Sequence, residues 1–367
     1  MIELFKKLLL FSPLLLILIL VNFFVDPSGV FSQVENEDRW VAEKLKAGLN
    51  VIYDTSINDR MVQSSYIKSI GEEKKDLTIV VIGSSRALQI NNSVFLEKSF
   101  FNSSLTGATL EDILAITELY LKNNVNVETV ILGVDPWMFN RNNGMEKWRI
   151  LEVEYNGFLA DNFGFGLFDK IALHIRQIKS EKEKIKKYGG TLVSLKYFQH
   201  SLQEKKFDYE STKHQTTENI YIQMPVKLPD GSLVNSESMR SATEEQVRGG
   251  VIEYLAHADV YGMESFNQID PILRSQFGAL LASLNKKKIN VILFLPPFHP
   301  LTYDYLKNHE RYKSVVGVED YLCKIADELG IRLLGSYDPA RVGLTGVDFY
   351  DFMHPKREAV ENLFLEN

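Results

Sequence analysis

A short apolar segment that ends in glycine and serine constrains the fold of this chain most. Residues 78–82, Thr-Ile-Val-Val-Ile, are apolar and mostly β-branched, and the run stops at Gly83, which is followed by Ser84 and Ser85. Such a run is typical of a strand that is buried on both faces, as in parallel sheets. The sequence therefore predicts a central strand that presents a serine hydroxyl at its carboxyl end. Strands of many proteins end in this way, so the segment alone does not establish a catalytic serine.

Strand-like segments alternate with segments of helical periodicity along much of the chain. Further strands are predicted at residues 100–102, 128–132, 290–295 and 331–334, and helices begin near Thr109, Pro271, Val318 and Pro355. This alternation predicts an α/β fold with a parallel sheet and helices on both faces. In open parallel sheets the ligand site lies beyond the carboxyl ends of the strands.

Composition and charge argue against several classes of protein. The chain has 367 residues with 45% hydrophobic content, which is enough for a large core, and its 41 basic and 48 acidic residues leave a net charge of −7. Because the basic clusters are short, we do not expect a nucleic-acid partner. The single cysteine, Cys323, excludes an internal disulfide and a cysteine-rich metal site. No histidine pair has convincing metal-ligand spacing, and neither a metal nor a cofactor is expected.

The amino terminus has the pattern of a membrane anchor. Lys6 and Lys7 precede an uncharged apolar run over residues 8–25, which is just long enough to cross a bilayer as a helix. A cleaved signal peptide is the alternative, but its apolar region is usually shorter and a small-residue cleavage site follows it. We therefore predict an uncleaved signal anchor over residues 1–26. The positive-inside tendency then places the rest of the chain outside the cytoplasm.

The remaining sequence divides into a core and two further segments. The polar residues 27–77 are interpreted as a stalk or linker that docks loosely. Residues 78–140 and 266–367 carry the strand and helix alternation of the core. Residues 141–265 interrupt it, and we interpret them as an insertion or lid that covers the site and selects the substrate, with a hairpin or turn at residues 228–231.

Three residues at predicted strand and turn ends could form a catalytic triad. Ser85 is the candidate nucleophile, and its hydroxyl needs a base to remove the proton. His354 is the candidate base, and Asp351, three residues earlier, could bind the other imidazole nitrogen. Ser84 is the rival nucleophile. His299, which also follows a strand end, is either a base, a substrate contact or a packing residue.

The order of these segments resembles the SGNH-hydrolase superfamily. Residues 83–85 match its Gly-x-Ser block, with Ser85 in the nucleophile's place, and Gly107 falls in its second block. Residues 133–135 stand where the family has Gly-x-Asn, and residues 351–354 match its Asp-x-x-His block. The resemblance covers the core and implies a flavodoxin-like three-layer α/β/α fold with a Ser-His-Asp triad and an acyl-serine intermediate.

The chain is most similar to the membrane-anchored acyl-transfer branch, which includes teichoic-acid D-alanyl-transfer and alginate O-acetylation proteins. This resemblance implies transfer of an acyl group, such as acetyl, to a hydroxyl of a cell-envelope polysaccharide, with the acyl group coming from a donor or a membrane acyltransferase partner. An esterase or deacetylase with the same triad, and an inactive glycan-binding or scaffold protein, are the alternatives. Trp137 and Phe298, which follow strand ends, either line the acceptor groove or belong to the core.

One departure from the family pattern bears on activity. Asp135 replaces the asparagine that donates to the oxyanion, and an ionised carboxylate would repel the developing negative charge. Asp135 therefore either points elsewhere, toward Arg86, or leaves an oxyanion hole built from the backbone amides of Ser85 and Gly107. Arg86 either pairs with Asp135 or holds an anionic substrate, and Gly107 has either an oxyanion role or only a turn role.

Overall fold

The computed structural model describes residues 2–25, 33–53, 57–95, 98–164, 189–203, 215–257, 259–263 and 266–365. The chain forms two compact units. The smaller comprises residues 1–40 and 165–214, and the larger comprises residues 41–164 and 215–367.

The elements are numbered along the chain. The strands are β1 (Val51–Ile52), β2 (Leu77–Ile82), β3 (Phe100–Asn102), β4 (Val127–Gly133), β5 (Val226–Lys227), β6 (Leu233–Val234), β7 (Asn290–Leu295) and β8 (Arg332–Gly335). The helices are α1 (Ile2–Val25), α2 (Gln33–Lys46), α3 (Asp59–Glu72), α4 (Leu110–Lys122), α5 (Glu152–Phe163), α6 (Leu195–Gln203), α7 (Glu237–Arg240), α8 (Glu244–His257), α9 (Pro271–Lys286), α10 (Pro300–Asn308), α11 (Ser314–Leu329) and α12 (Arg357–Leu365).

A five-stranded sheet in the order β3-β2-β4-β7-β8 forms the centre of the larger unit, and all its neighbouring strands are parallel. This is the strand order of flavodoxin-like folds. The register pairs Ile82 with Leu132 and Gly133 with Phe294, so the carboxyl ends of the three central strands lie side by side. The predicted α/β fold with a parallel sheet is confirmed.

Both faces of the sheet are buried, as a three-layer arrangement requires. One face packs against α12 through a cluster that includes Ile79, Val81, Ile131, Phe294, Leu334, Val360 and Leu363. The alternate positions Val80, Leu132 and Leu293 on the other face are at most 1% exposed. Burial on both sides explains why these strands read as continuous apolar runs.

Residues 41–77 are part of the larger unit rather than a loose stalk. Asn58 caps α3, since its side-chain oxygen accepts from the backbone N–H of Arg60 at 3.2 Å. Ile67 and Ile70 on this helix are 0% exposed, and Tyr66 stacks on Phe101 of β3 with ring centroids 3.7 Å apart. The predicted loose docking of residues 27–77 is therefore wrong from Val41 onward, because α3 covers the edge of the sheet.

The predicted insertion at residues 141–265 is not one body. Its helices α5, α7 and α8 and the β5–β6 hairpin belong to the larger unit, whereas residues 165–214 belong to the smaller one. The hairpin turn at residues 228–231 is present, with Gly231 at a φ of +80° that favours glycine. Residues 165–188 and 204–214 lie outside the described residues, so a lid formed by them stays a prediction.

The smaller unit contains α1 and α6. Asn22 of α1 is fully buried, and its side-chain nitrogen donates to the carbonyl oxygens of Leu192 at 2.8 Å and Ser194 at 3.1 Å. Several large apolar side chains of α1 are exposed, namely Leu14, Leu15, Leu16, Ile17, Leu20, Phe23 and Phe24. Over the described residues, none of the helices combines the length and the apolar character needed to cross a membrane.

Candidate active site

The candidate nucleophile lies in the turn that follows β2. A Cβ atom on Gly83 would lie 2.9 Å from the Cβ of Ala87 and 3.1 Å from the Cα of Gly133, so only glycine lets the ends of β2 and β4 approach this closely. Ser85 then begins a short 3-10 helix, Ser85–Ala87. The turn places Ser85 at the carboxyl edge of the sheet, where the sequence predicted it.

The two neighbouring serines have different partners. Ser84 is 0% exposed, and its Oγ accepts from the backbone N–H of Arg86 at 3.1 Å. Ser85 is half-buried, and its Oγ lies 2.9 Å from Nε2 of His354. The geometry therefore favours Ser85 over Ser84 as the nucleophile.

His354 bridges Ser85 and Asp351. Its Nδ1 lies 2.8 Å from Oδ2 and 3.0 Å from Oδ1 of Asp351, which fixes the proton on Nδ1 and leaves Nε2 to accept from the serine hydroxyl. Oδ1 of Asp351 also accepts from the backbone N–H groups of Met353 and His354, each at 2.8 Å. Burial acts to raise the pKa of Asp351, but His354 and the two amides outweigh it and hold this pKa below its ordinary value. The carboxylate thus stays ionised beside the imidazole.

Asp135 forms an ion pair with Arg86. Both side chains are 0% exposed, and Nη1 of Arg86 lies 2.7 Å from Oδ1 of Asp135. Burial raises the pKa of Asp135, and the Arg86 guanidinium opposes that rise. Arg86 is enclosed, since its Nε donates to the carbonyl of Met353 at 2.9 Å and its guanidinium lies 3.8 Å from the ring centroid of Phe298. Arg86 therefore connects the β2 turn, the end of β4 and the loop of His354, and it has no free face for an anionic substrate.

A buried arginine positions the Gly107 loop. Arg60 makes two hydrogen bonds with the carboxylate of Asp112, at 2.7 and 2.8 Å. Its other N–H groups donate to the carbonyl oxygens of Thr106 and Gly107, each at 3.3 Å. Asp59 accepts from the Thr106 N–H at 2.5 Å. These contacts fix the loop beside the candidate nucleophile, with Gly107 at a φ of +60°.

The backbone amides of the candidate oxyanion hole are available. In the part of the chain that the structure describes, the N–H groups of Ser85 and Gly107 donate to no other protein group. Two such donors fit the need of a developing oxyanion. The side chain of Asp135 adds no third donor, because it accepts from Arg86.

His299, Trp137 and Phe298 are structural residues. Nδ1 of His299 accepts from the backbone N–H of Leu301 at 3.2 Å and caps α10, and the residue is 3% exposed. Burial lowers the pKa of His299, which favours the neutral ring. Trp137 and Phe298 are 1% and 0% exposed, so they belong to the core and cannot line an acceptor groove.

Two residues of this region carry no signal in the sequence. Arg60 lies in the segment interpreted as a stalk or linker, and nothing in the sequence predicts that it would reach Asp112. Tyr261, whose hydroxyl lies against Gly107, comes from the segment interpreted as an insertion. The described residues contain no group of three or more histidine, cysteine or acidic side chains that could hold a metal ion.

No protein-family model matches this chain, and no curated protein matches it. A hydroxyl, an imidazole and an ionised carboxylate connected in this order suit nucleophilic attack on an acyl carbon.

Proposed function

We propose that the protein is a serine-dependent acyltransferase that uses Ser85, His354 and Asp351. One observation carries this proposal: the hydrogen-bonded series from Ser85 Oγ to His354 Nε2 at 2.9 Å, and from His354 Nδ1 to Asp351 at 2.8 Å. Ser85 and His354 lie 269 positions apart in the chain. A purely structural role for either residue would not require this order of groups at the carboxyl edge of a parallel sheet.

The reaction follows from the groups in place. Ser85 Oγ attacks the acyl carbon of the donor while His354 Nε2 takes its proton, and the carbonyl electron pair moves onto the oxygen. Collapse of this intermediate breaks the bond to the leaving group, which receives the proton from His354, and leaves an acyl-serine. A second hydroxyl then attacks the acyl-serine, with His354 again taking and returning the proton. Asp351 holds the imidazole and stabilises its charged form.

The acceptor distinguishes a transferase from an esterase. We favour a polysaccharide hydroxyl as the acceptor and acetyl as the acyl group, supported by the resemblance to the membrane-anchored acyl-transfer branch of the SGNH-hydrolase superfamily. We further propose that the apolar residues 8–25 anchor the chain and that the larger unit lies outside the cytoplasm, with an acyl donor or membrane acyltransferase as partner. The exposed apolar side chains of α1 support the anchor. With water as the acceptor, the same triad would act as an esterase or deacetylase.

An inactive scaffold is the less favoured alternative. A carboxylate at position 135 that faced the oxyanion would disable the oxyanion hole. The ion pair with Arg86 makes the scaffold less favoured, because it buries the Asp135 carboxylate and pairs its charge with the guanidinium.

Labelling with a fluorophosphonate probe tests the nucleophile. We expect wild-type protein to be labelled at Ser85, and we expect Ser85→Ala and His354→Ala to lose labelling. Ser84→Ala is the matched control: it removes a hydroxyl one position away and should keep labelling. Labelling that disappears in Ser84→Ala but persists in Ser85→Ala would contradict the assignment, and a folded wild-type protein that is never labelled would refute the catalytic proposal.

Two further measurements address the acceptor and the location. Incubation with an acetyl donor and a soluble polysaccharide should give acetylated glycan in excess of free acetate, whereas release of acetate alone would identify an esterase. Protease treatment of intact cells should digest the larger unit, and full protection would refute the extracytoplasmic location.

A further inference from the structure

Two separate segments carry the nucleophile and the base of the candidate triad. Ser85 lies in the 3-10 helix Ser85–Ala87, here called the nucleophile helix, and His354 lies in the loop before α12. Their side chains meet at 2.9 Å. Catalysis needs this distance to be held, because a shift of about 1 Å between reacting groups can cost about 100-fold in rate. The β5–β6 hairpin, residues 226–234, provides a second connection between the two segments.

Leu233 of β6 hydrogen-bonds to both segments through its backbone. Its N–H donates to the carbonyl of Leu88 at 3.0 Å, and the N–H of Leu88 donates to the carbonyl of Ser85 at 3.2 Å. The Leu233 carbonyl accepts from Nη2 of Arg357 at 3.0 Å. Arg357 is the first residue of α12, three positions after His354. One hairpin residue therefore lies between the nucleophile helix and the helix that follows the base.

The turn of the hairpin is held against the end of β3. The carbonyl of Asp230 accepts from the N–H of Asn102 at 2.7 Å, and its side chain accepts from the N–H of Asn92 at 3.0 Å. A Cβ atom on Gly231 would lie 2.2 Å from the carbonyl oxygen of Asn102, so this close approach requires glycine. Asn102 is fully buried, and its side-chain nitrogen donates to the carbonyl of Ala87 at 2.8 Å. The hairpin thus also supports the nucleophile helix through Asn102.

Arg357 has a second acceptor in the same hairpin. Its Nη2 lies 3.3 Å from Oγ of Ser232, whose hydroxyl donates to Oδ1 of Asp230 at 2.7 Å. Because Arg357 begins α12, these contacts fix the first turn of that helix relative to the hairpin. A closed series of contacts results, which runs from the nucleophile helix to the hairpin, then to α12, and back to Ser85 through His354.

We propose that Arg357 is a positioning residue, and that the β5–β6 hairpin is a brace that holds the base at its distance from the nucleophile. This inference rests on the proposed acyl-transfer function. Arg357 hydrogen-bonds to the hairpin and acts on the triad through α12 and the loop of His354. During the reaction His354 Nε2 takes the proton of Ser85 and later returns a proton, and the brace keeps the two groups within hydrogen-bond reach in both steps.

Hydrolysis of p-nitrophenyl acetate by Arg357→Met tests the proposal. Methionine keeps part of the aliphatic side chain and removes the donor to Leu233 and Ser232. We expect kcat to fall by about 10- to 100-fold, because the base is no longer held at its working distance. KM should stay within about two-fold of wild type, because a misplaced base affects the chemical step rather than the binding of the ester.

Arg240→Met is the matched control. Arg240 is also half-buried and donates to two hydrogen-bond acceptors, the carbonyls of Asn235 at 2.9 Å and Ile222 at 3.1 Å. Neither partner adjoins Ser85 or His354 in sequence, so this variant should keep wild-type kcat. An equal fall of kcat in both variants would indicate a general effect of losing a half-buried arginine and would overturn the proposal.

Gly231→Ala disturbs the brace from its other end. The methyl group would press on the Asn102 carbonyl, and alanine disfavours the φ of +80°, so the turn has to move away from β3. We expect kcat to fall here too, which also tests the brace if Arg357→Met does not fold. Because both changes act on one brace, the double variant should lose much less than the product of the two single losses. Losses that multiply would overturn the proposal.

The outcomes separate this inference from the proposed function. If wild-type protein neither hydrolyses the ester nor reacts with the fluorophosphonate, the proposed function fails and this inference fails with it. If wild-type protein is active and folded Arg357→Met keeps its kcat, only the brace is refuted. A rise in KM at unchanged kcat would show that the hairpin side of α12 affects substrate binding rather than the position of the base, and would also refute the proposal.

Discussion

Replacing Asp135 with asparagine should destabilise the protein. In Asp135→Asn the side chain keeps an oxygen that can accept from Arg86 but loses the charge that neutralises the guanidinium. Because both side chains are 0% exposed, the arginine charge stays buried without a counter-ion. Breaking a buried ion pair in this way costs about 3–5 kcal/mol, and the retained acceptor places this variant near 3 kcal/mol. At about 2–3 °C per kcal/mol for a unit of this size, the melting temperature should fall by roughly 6–9 °C.

Thermal and urea unfolding of Asp135→Asn measure this cost, and Asp304→Asn is the matched control. Asp304 pairs with Lys307 at 3.3 Å, but its side chain is 62% exposed, so its loss should cost less than about 1 kcal/mol. Ester hydrolysis is measured on the same samples. An Asp135→Asn variant that kept its stability and gained activity would refute this prediction, because residue 135 would then face the oxyanion rather than Arg86.

Three further predictions concern the Gly107 loop and the β5 strand. Gly107→Ala should lower both stability and kcat, because alanine disfavours the φ of +60° and its methyl group would displace the Tyr261 hydroxyl. Adding Tyr261→Phe should restore part of the melting temperature but not kcat. Arg60→Met should lower the free energy of unfolding in urea by about 3–5 kcal/mol, because Asp112, at 0% exposure, loses its partner. A kcat that stays at the wild-type value in the folded variant would refute the positioning role of Arg60. Burial lowers the pKa of Lys227 from 10.5 to about 8, so between these pH values the unfolded chain binds more protons than the folded one. The free energy of unfolding should therefore rise by about 3 kcal/mol from pH 8 to 10.5. Lys227→Met should remove that rise, and an unchanged pH slope in the variant would show that another group causes it.

The sequence predicted the sheet well because its strands are buried on both faces. Residues 79–82 and 291–295 are continuous apolar runs that are followed by glycine or proline, and these signals are local. The helix that begins after Thr109 was also predictable, since Asp112 accepts from the Thr109 N–H at 3.0 Å in a capping box. The hairpin at residues 228–231 followed from its Pro-Asp-Gly turn.

The sequence predicted the surroundings of the site less well, because pairings between distant segments leave no local pattern. Polar and charged residues interrupt the apolar face of α3, so residues 27–77 suggested a connector. Arg60, one of these residues, is nevertheless buried against Asp112. The sequence left two roles open for Asp135, and only the fold shows its pairing with Arg86. The sequence also left a groove or a core position open for Trp137, and its 1% exposure in the fold shows that it is a core residue.

Arg86 has a consequence for when the site can form during biosynthesis. The Arg86 side chain, directly after Ser85, donates a hydrogen bond to the carbonyl of Met353, which lies 267 positions later in the chain. Both His354, which contacts Ser85, and the Met353 carbonyl are therefore made after most of the larger unit has been synthesised. A chain that is interrupted before residue 351 lacks both Asp351 and His354, so its Ser85 has no imidazole partner; under the proposed function, the nucleophile is activated only once this last part of the larger unit is in place.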